Sequence, residues 1–283
     1  MAKKRTAKKE AMPPAWQSAV RLLHPFPSLV VTTVTVALVF LADSSPPVST
    51  AVVLGVTMLW YQFAIGVAND LVDARDDAQS KPWKAIPRGV VSRTVAISLA
   101  AGLAGGGMLV SSTLRGEAWL IGMAGLACGL AYDVQLKRTV LSWLAFSIAI
   151  PLIPVWVFVA LDRWEGLLWA AFPVGALLGL ALHLANQAPD VPKEAGMRGL
   201  AHRLGTERAA NLSLGLFGLA GIIAVVVLLV ATAPLQALLL AATVLIAGIM
   251  SRRAVATFGP DGLFGLLAMS SGLMAVLFVS AVR

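Results

Sequence analysis

The 283-residue sequence is poor in cysteine, tyrosine, histidine and charge: one Cys, two Tyr, three His, and only 13% Asp, Glu, Lys and Arg. A single cysteine, Cys128, permits no internal disulfide, and its place in an apolar run reads as packing. An ordinary soluble domain carries about 25% charged residues, so both a soluble globular domain and a charge-rich disordered chain are poor fits. No HExxH, no CxxC and no Gly-rich nucleotide loop is present, which leaves zinc, nicotinamide and ATP without support. Residues 11–28 hold Pro13, Pro14, Arg21, His24, Pro25 and Pro27, not the apolar core and small-residue site of a cleavable signal.

Hydrophobic types make up 58% of the chain, gathered in long runs between short charged loops. Each spanning helix needs about 20 residues. Nine segments qualify: 23–42, 50–68, 93–111, 117–134, 141–160, 165–186, 211–231, 234–250 and 263–281. The expected fold class is therefore an all-α, multi-pass transmembrane helical bundle of nine spans. Residues 1–22 read as a basic cytosolic tail and 23–283 as one transmembrane unit. With the N-terminus inside, 19 of the 22 Lys and Arg fall in inner segments, and only Arg115, Arg163 and Arg283 lie outside. That is the positive-inside bias, and it puts the C-terminus outside. The net charge of +8 is thus assigned to a membrane surface and anionic substrates rather than to nucleic acid.

Two long inner segments carry the chemistry, 69–92 and 186–210. In the first, Asn69, Asp73 and Asp77 are four apart, so a helix sets them in one ladder that drifts about 40° per step. Stacked carboxylates repel, and at the inner end of an apolar span ionisable groups are costly and usually functional. A hard divalent cation relieves the repulsion, and magnesium is commonly held by one or two carboxylates together with substrate phosphates. A solvated acidic helix end is the alternative. Downstream, Lys81, Lys84 and Arg88 lie where basic side chains would neutralise a diphosphate; a solvated inner loop is again the alternative. Tyr132, followed by Lys137 and Arg138, fits the same role or an interfacial anchor. Asn186, Asp190 and Glu194 repeat the spacing of the first ladder, although Pro189 and Pro192 stop or kink a helix there. Together these segments suggest two facing half-sites.

The run Asn69-Asp70-x-x-Asp73-x-x-Asp76-Asp77, with Lys81-Pro82 after it, resembles the first Asp-rich motif of the UbiA superfamily of intramembrane prenyltransferases. Tyr132 to Lys137 is similar to that family's Tyr-x-x-x-x-Lys segment, and Asn186 to Asp190, with Gly196 and Arg203-Leu204-Gly205, to its second motif. Gln187 stands where that family commonly has Asp. The resemblance implies a central cavity open to lipid and transfer of an isoprenyl chain from an isoprenyl diphosphate to an aromatic or other lipophilic acceptor. Asn69, Asp73, Asp77, Asn186, Asp190 and Glu194 would hold two magnesium ions. Lys81, Arg88, Lys137 and Arg138 would hold the diphosphate. Asp73, Asp77, Asp190, Lys81 and Tyr132 would serve catalysis. A terpenoid cyclase or a phosphosugar prenyltransferase on the same fold, and a membrane carrier, are the competing readings. The expected location is a prokaryotic inner membrane.

Overall fold

The computed structural model describes residues 12–192, 198–259 and 261–282, and all of its regular structure is helical. The helices are α1 (Ala15–Arg21), α2 (Pro25–Ala42), α3 (Val48–Ser80), α4 (Arg93–Ser111), α5 (Gly116–Val134), α6 (Ser142–Ala160), α7 (Ala171–Gln187), α8 (Leu200–Leu204), α9 (Thr206–Val230), α10 (Pro234–Phe258) and α11 (Gly262–Val282). Short 3-10 turns precede α6 and α7. Eight of the long segments are long and apolar enough to cross a membrane; α5, with Glu117 and Asp133 in its first and last turns, is the long helix not among them. The chain is an integral, multi-pass membrane protein.

Breaks between helices follow local chemistry. Pro25 and Pro27 begin α2, where a missing N–H costs nothing, and His24 before them takes a left-handed backbone, φ 48°. Segment 23–42 is therefore split at His24. Helix α3 runs on through the acidic ladder to Ser80 and stops before Pro82. Helix α7 stops at Gln187, ahead of Pro189, so Asp190 sits in a turn and the second set is not a helical ladder.

Consecutive helices pack as antiparallel neighbours, α3 on α4, α6 on α7 and α10 on α11, with α7 also against α9. Leu38, Leu54, Trp156, Phe158, Phe217 and Leu267 belong to the main buried cluster. Glycine permits the tightest approach: a Cβ on Gly179 would run into the Phe146 carbonyl of α6, and one on Gly175 would lie 2.8 Å from Pro151 Cα. Ion pairs tie the two ends of the bundle separately. At one end Arg163 meets Asp43 at 3.0 Å and Arg115 meets Asp162. At the other, Lys81 meets Asp190, Lys137 meets Asp73, and Arg138 meets Asp76.

Candidate diphosphate and metal site

A cavity of about 680 Å³ opens among α2, α3, α5, α6, α7 and α11. Most of its wall is apolar, including Val34, Met58, Leu126, Ile150, Leu178 and Phe264. Polar groups enter it chiefly from the end of the bundle that holds the acidic ladder: Asn69, Asp73, Lys81, Lys84, Tyr132, Asp133, Lys137, Asn186, Gln187 and Asp190. Segments far apart in sequence thus bring two oxygen-rich groups to one chamber. Asn69 and Asp73 stand one turn apart on α3. Asn186 is in the last turn of α7, and Asp190 lies just past it.

Cations bridge these groups. Lys137, only 4% exposed, donates to Asp73 Oδ1. Lys81 Nζ donates to Asp190 Oδ2 at 3.1 Å. Asn69 Nδ2 donates to Asp133 Oδ1 at 2.7 Å, and Gln187 Nε2 donates to the Tyr132 hydroxyl at 2.8 Å. Tyr132 also makes T-shaped ring contacts with Phe146 and His183, at centroid distances of 5.1 and 5.8 Å.

Other expected site residues lie elsewhere. Asp77 is 4% exposed, does not line the cavity, and accepts from Lys84 Nζ at 2.7 Å. Lys84 also donates to Asp70 at 2.7 Å, and His24 Nε2 reaches the same Asp70 oxygen at 3.1 Å. Burial by itself lowers the affinity of Lys84 for its proton, but Asp70 and Asp77 outweigh that and raise it above the ordinary lysine range. Arg88 donates to the Pro13 carbonyl and approaches Ser18 Oγ at 3.5 Å, holding the 81–92 loop to α1. Arg138 pairs with Asp76 at 3.1 Å on the exposed surface. Glu194 and Gly196 lie outside the described residues.

Helical geometry separates Asp77 from Asp73. At about 100° per residue, Asp73 is turned roughly 40° from Asn69, whereas Asp77 is turned roughly 80° and Asp70 roughly 100°. Asp70 and Asp77 therefore share a flank of α3 and one lysine. The same arithmetic would have grouped them from the sequence. The contact between Asn69 and Asp133, 64 residues apart, had no such signal.

Among the described residues no three His, Cys, Asp or Glu side chains form a ready metal cluster. The donor set nevertheless fits magnesium: carboxylate and amide oxygens at a polar mouth, their charges met by lysines that suit phosphate oxygens.

The chain belongs to the UbiA prenyltransferase family, whose model matches residues 29–279. No curated protein matches the sequence. Among solved structures, a UbiA homologue from Archaeoglobus fulgidus bound to GPP and Mg2+ is similar, with TM-score 0.72, 16% identity, and coverage of 91% of this chain and 99% of that one. The Cd2+-bound form of that homologue gives TM-score 0.68 and 18% identity over 92% and 99% of the two chains. A digeranylgeranylglyceryl phosphate synthase gives TM-score 0.65 and 14% identity over 95% and 99%. At these identities the structural likeness establishes the shared fold.

Proposed function

We propose that this protein transfers an isoprenyl group, within the membrane and with magnesium, from an isoprenyl diphosphate to a lipophilic acceptor. One observation carries the reading: the Asp73–Lys137 and Asp190–Lys81 pairs face a single chamber whose wall is otherwise mostly apolar. That combination suits a molecule with a polyanionic head and a hydrocarbon tail. Family membership and the fold shared with the GPP- and Mg2+-bound homologue support it.

The polar end lies among the basic loops, which the positive-inside bias assigns to the cytosol of a prokaryotic inner-membrane protein. Helix α5 joins the two ends of the bundle, since Arg115 before it meets Asp162 and Lys137 after it meets Asp73. This favours nine spans around a central cavity and an external C-terminus.

Asn69 with Asp73, and Asn186 with Asp190, are the oxygen donors for two magnesium ions, with Glu194 a further donor to the second. Asp77, held by Lys84 at 2.7 Å, is left out of the first set. Magnesium, when bound, offsets charge that builds on the departing diphosphate. Lys81 and Lys137 exchange their carboxylates for phosphate oxygens. Arg88 and Arg138 stand behind them and add positive potential. Tyr132, oriented by Gln187, presents its ring to the chamber, where positive charge on C1 of the donor is favoured by the ring face. The C1–oxygen bond breaks with its electron pair going to diphosphate; an acceptor atom then bonds to C1 and gives up its proton. The apolar wall keeps water from C1.

The test is magnesium-dependent diphosphate release from a series of isoprenyl diphosphates by purified protein, with product mass measured alongside. Asp73→Asn should lower release by about 10- to 100-fold, the worth of one interaction with a charged group at about 1.5–3 kcal/mol, while keeping the fold. Full activity in that variant rejects the assignment. A product with the carbon count of the donor alone indicates cyclisation instead of transfer.

A further inference from the structure

The first half-site contains a carboxylate that the acidic ladder does not supply. Asp133, in the last turn of α5, is 1% exposed and lines the chamber. Its Oδ1 accepts from Asn69 Nδ2 at 2.7 Å. Its Oδ2 is buried and meets no partner among the described residues. The nearest lysine of this half-site, Lys137, is committed to Asp73. Around Asn69, then, two carboxylates share one ammonium, a net charge of −1 at the polar end of the chamber. A buried carboxylate without a counter-ion is strongly disfavoured, so this arrangement calls for a cation.

We propose that Asp133 is a ligand of the metal at the first half-site, acting with Asn69 and Asp73 in the place that Asp77, held by Lys84, leaves. The inference rests on the magnesium–diphosphate reading of the chamber. Asp133 has two effects. An ionised carboxylate only accepts hydrogen bonds, so the Asn69 amide must turn its NH2 to Asp133. Its carbonyl oxygen is thereby oriented as a neutral ligand. Asp133 Oδ2 then supplies the second anionic oxygen beside that of Asp73. Asn, Asp and Asp from two helices give the small, hard oxygen set that magnesium or manganese takes with retained waters.

Mn2+ alone is the probe, titrated by electron paramagnetic resonance against the full-length protein in detergent. Four variants are compared with wild type: Asp73→Asn, Asp77→Asn, Asp133→Asn and Asp133→Ala. Asp133→Asn keeps an oxygen that accepts from Asn69 and removes only the charge. It should weaken Mn2+ binding by about 10-fold or more, in line with lost ligand charge, with a thermal midpoint near wild type. Asp133→Ala should weaken it further, because Asn69 loses its orientation. Asp77→Asn should stay within about two-fold of wild type. If Asp133→Asn binds Mn2+ like wild type, or Asp77→Asn weakens it as much as Asp73→Asn, the inference is overturned. If wild type binds no Mn2+, the reading of the whole chamber falls with it. Should Asp133→Ala fail to fold, the isosteric Asp133→Asn still decides the question.

Discussion

Lys81 Nζ lies 3.1 Å from Asp190 Oδ2 and joins the loop after α3 to the turn after α7, 109 residues away. Both side chains are about a quarter exposed, 25% and 22%. Pairs of that exposure contribute about 0.2–1 kcal/mol to stability, too little to explain placing a lysine at the mouth of an apolar chamber. On the proposed function, a phosphate oxygen would be the better partner for Lys81 and a cation the better partner for Asp190, and substrate would replace the pair.

Lys81→Met should therefore leave the thermal midpoint nearly unchanged and weaken donor binding by about 10- to 100-fold, the equivalent of 1.5–3 kcal/mol for a charge-assisted contact. Equilibrium binding of a non-hydrolysable isoprenyl diphosphate analogue in the presence of Mg2+ reads this directly. Unchanged affinity would return Lys81 to a purely structural role.

Lys84 should behave in the opposite way. It sits between Asp70 and Asp77, which are 2% and 4% exposed, and truncating it leaves two buried carboxylates without their cation. Breaking such a pair costs about 3–5 kcal/mol, so Lys84→Met should unfold at a clearly lower temperature than Lys81→Met. The proton affinity of Lys84 is raised on folding. Its contribution is thus complete below the ordinary lysine pKa and is lost as pH climbs through the higher folded value. The difference in thermal midpoint between wild type and Lys84→Met should accordingly stay constant through neutral pH and narrow only in strongly alkaline buffer.

Gly179 and Gly105 test the packing account against each other. A methyl on Gly179 meets the backbone of α6, while one on Gly105 meets nothing within 4 Å. Overpacking costs about 1–3 kcal/mol, and exposed Gly→Ala in a helix gains about 0.5–1 kcal/mol. Gly179→Ala should lower the midpoint and Gly105→Ala should hold or raise it, both measured by thermal unfolding in the same detergent.

The sequence carries the spans well because lipid demands long apolar helices, and eight of the expected nine segments meet that demand by length and composition. It also carries the chamber's polar end: Asn69, Asp73, Lys81, Tyr132, Lys137, Asn186 and Asp190 all line it. What it blurs is angle. Four-residue spacing looks like one face, yet the drift accumulates until Asp77 belongs with Asp70 and Lys84 on the flank of α3. Contacts across helices are less legible still. Asp133 follows a tyrosine at the end of α5 with no motif to mark it, and only the packing of α5 against α3 brings it to Asn69. Likewise α1 became visible only through what it holds, Ser18 donating to the Trp83 carbonyl at 2.8 Å and Arg21 lying over the Trp83 ring.

Gly125 offers a test of where the hydrocarbon tail runs. It lines the chamber on α5, and a Cβ there would meet nothing within 4 Å. Eight residues separate it from Asp133, about 12 Å along the helix at 1.5 Å per residue, so it stands well beyond the polar end. A leucine at this position would project into the path of a long tail but not a short one. Helix propensity favours Leu over Gly by close to a kcal/mol, so lost turnover could not be blamed on an unstable helix. Gly125→Leu should cut turnover with a twenty-carbon donor by about 10-fold or more, the cost of roughly 1.4 kcal/mol in the barrier, and spare a five- or ten-carbon donor. Equal losses for all donors would mean that the tail takes another course through the bundle, along α2 and α11 rather than past α5.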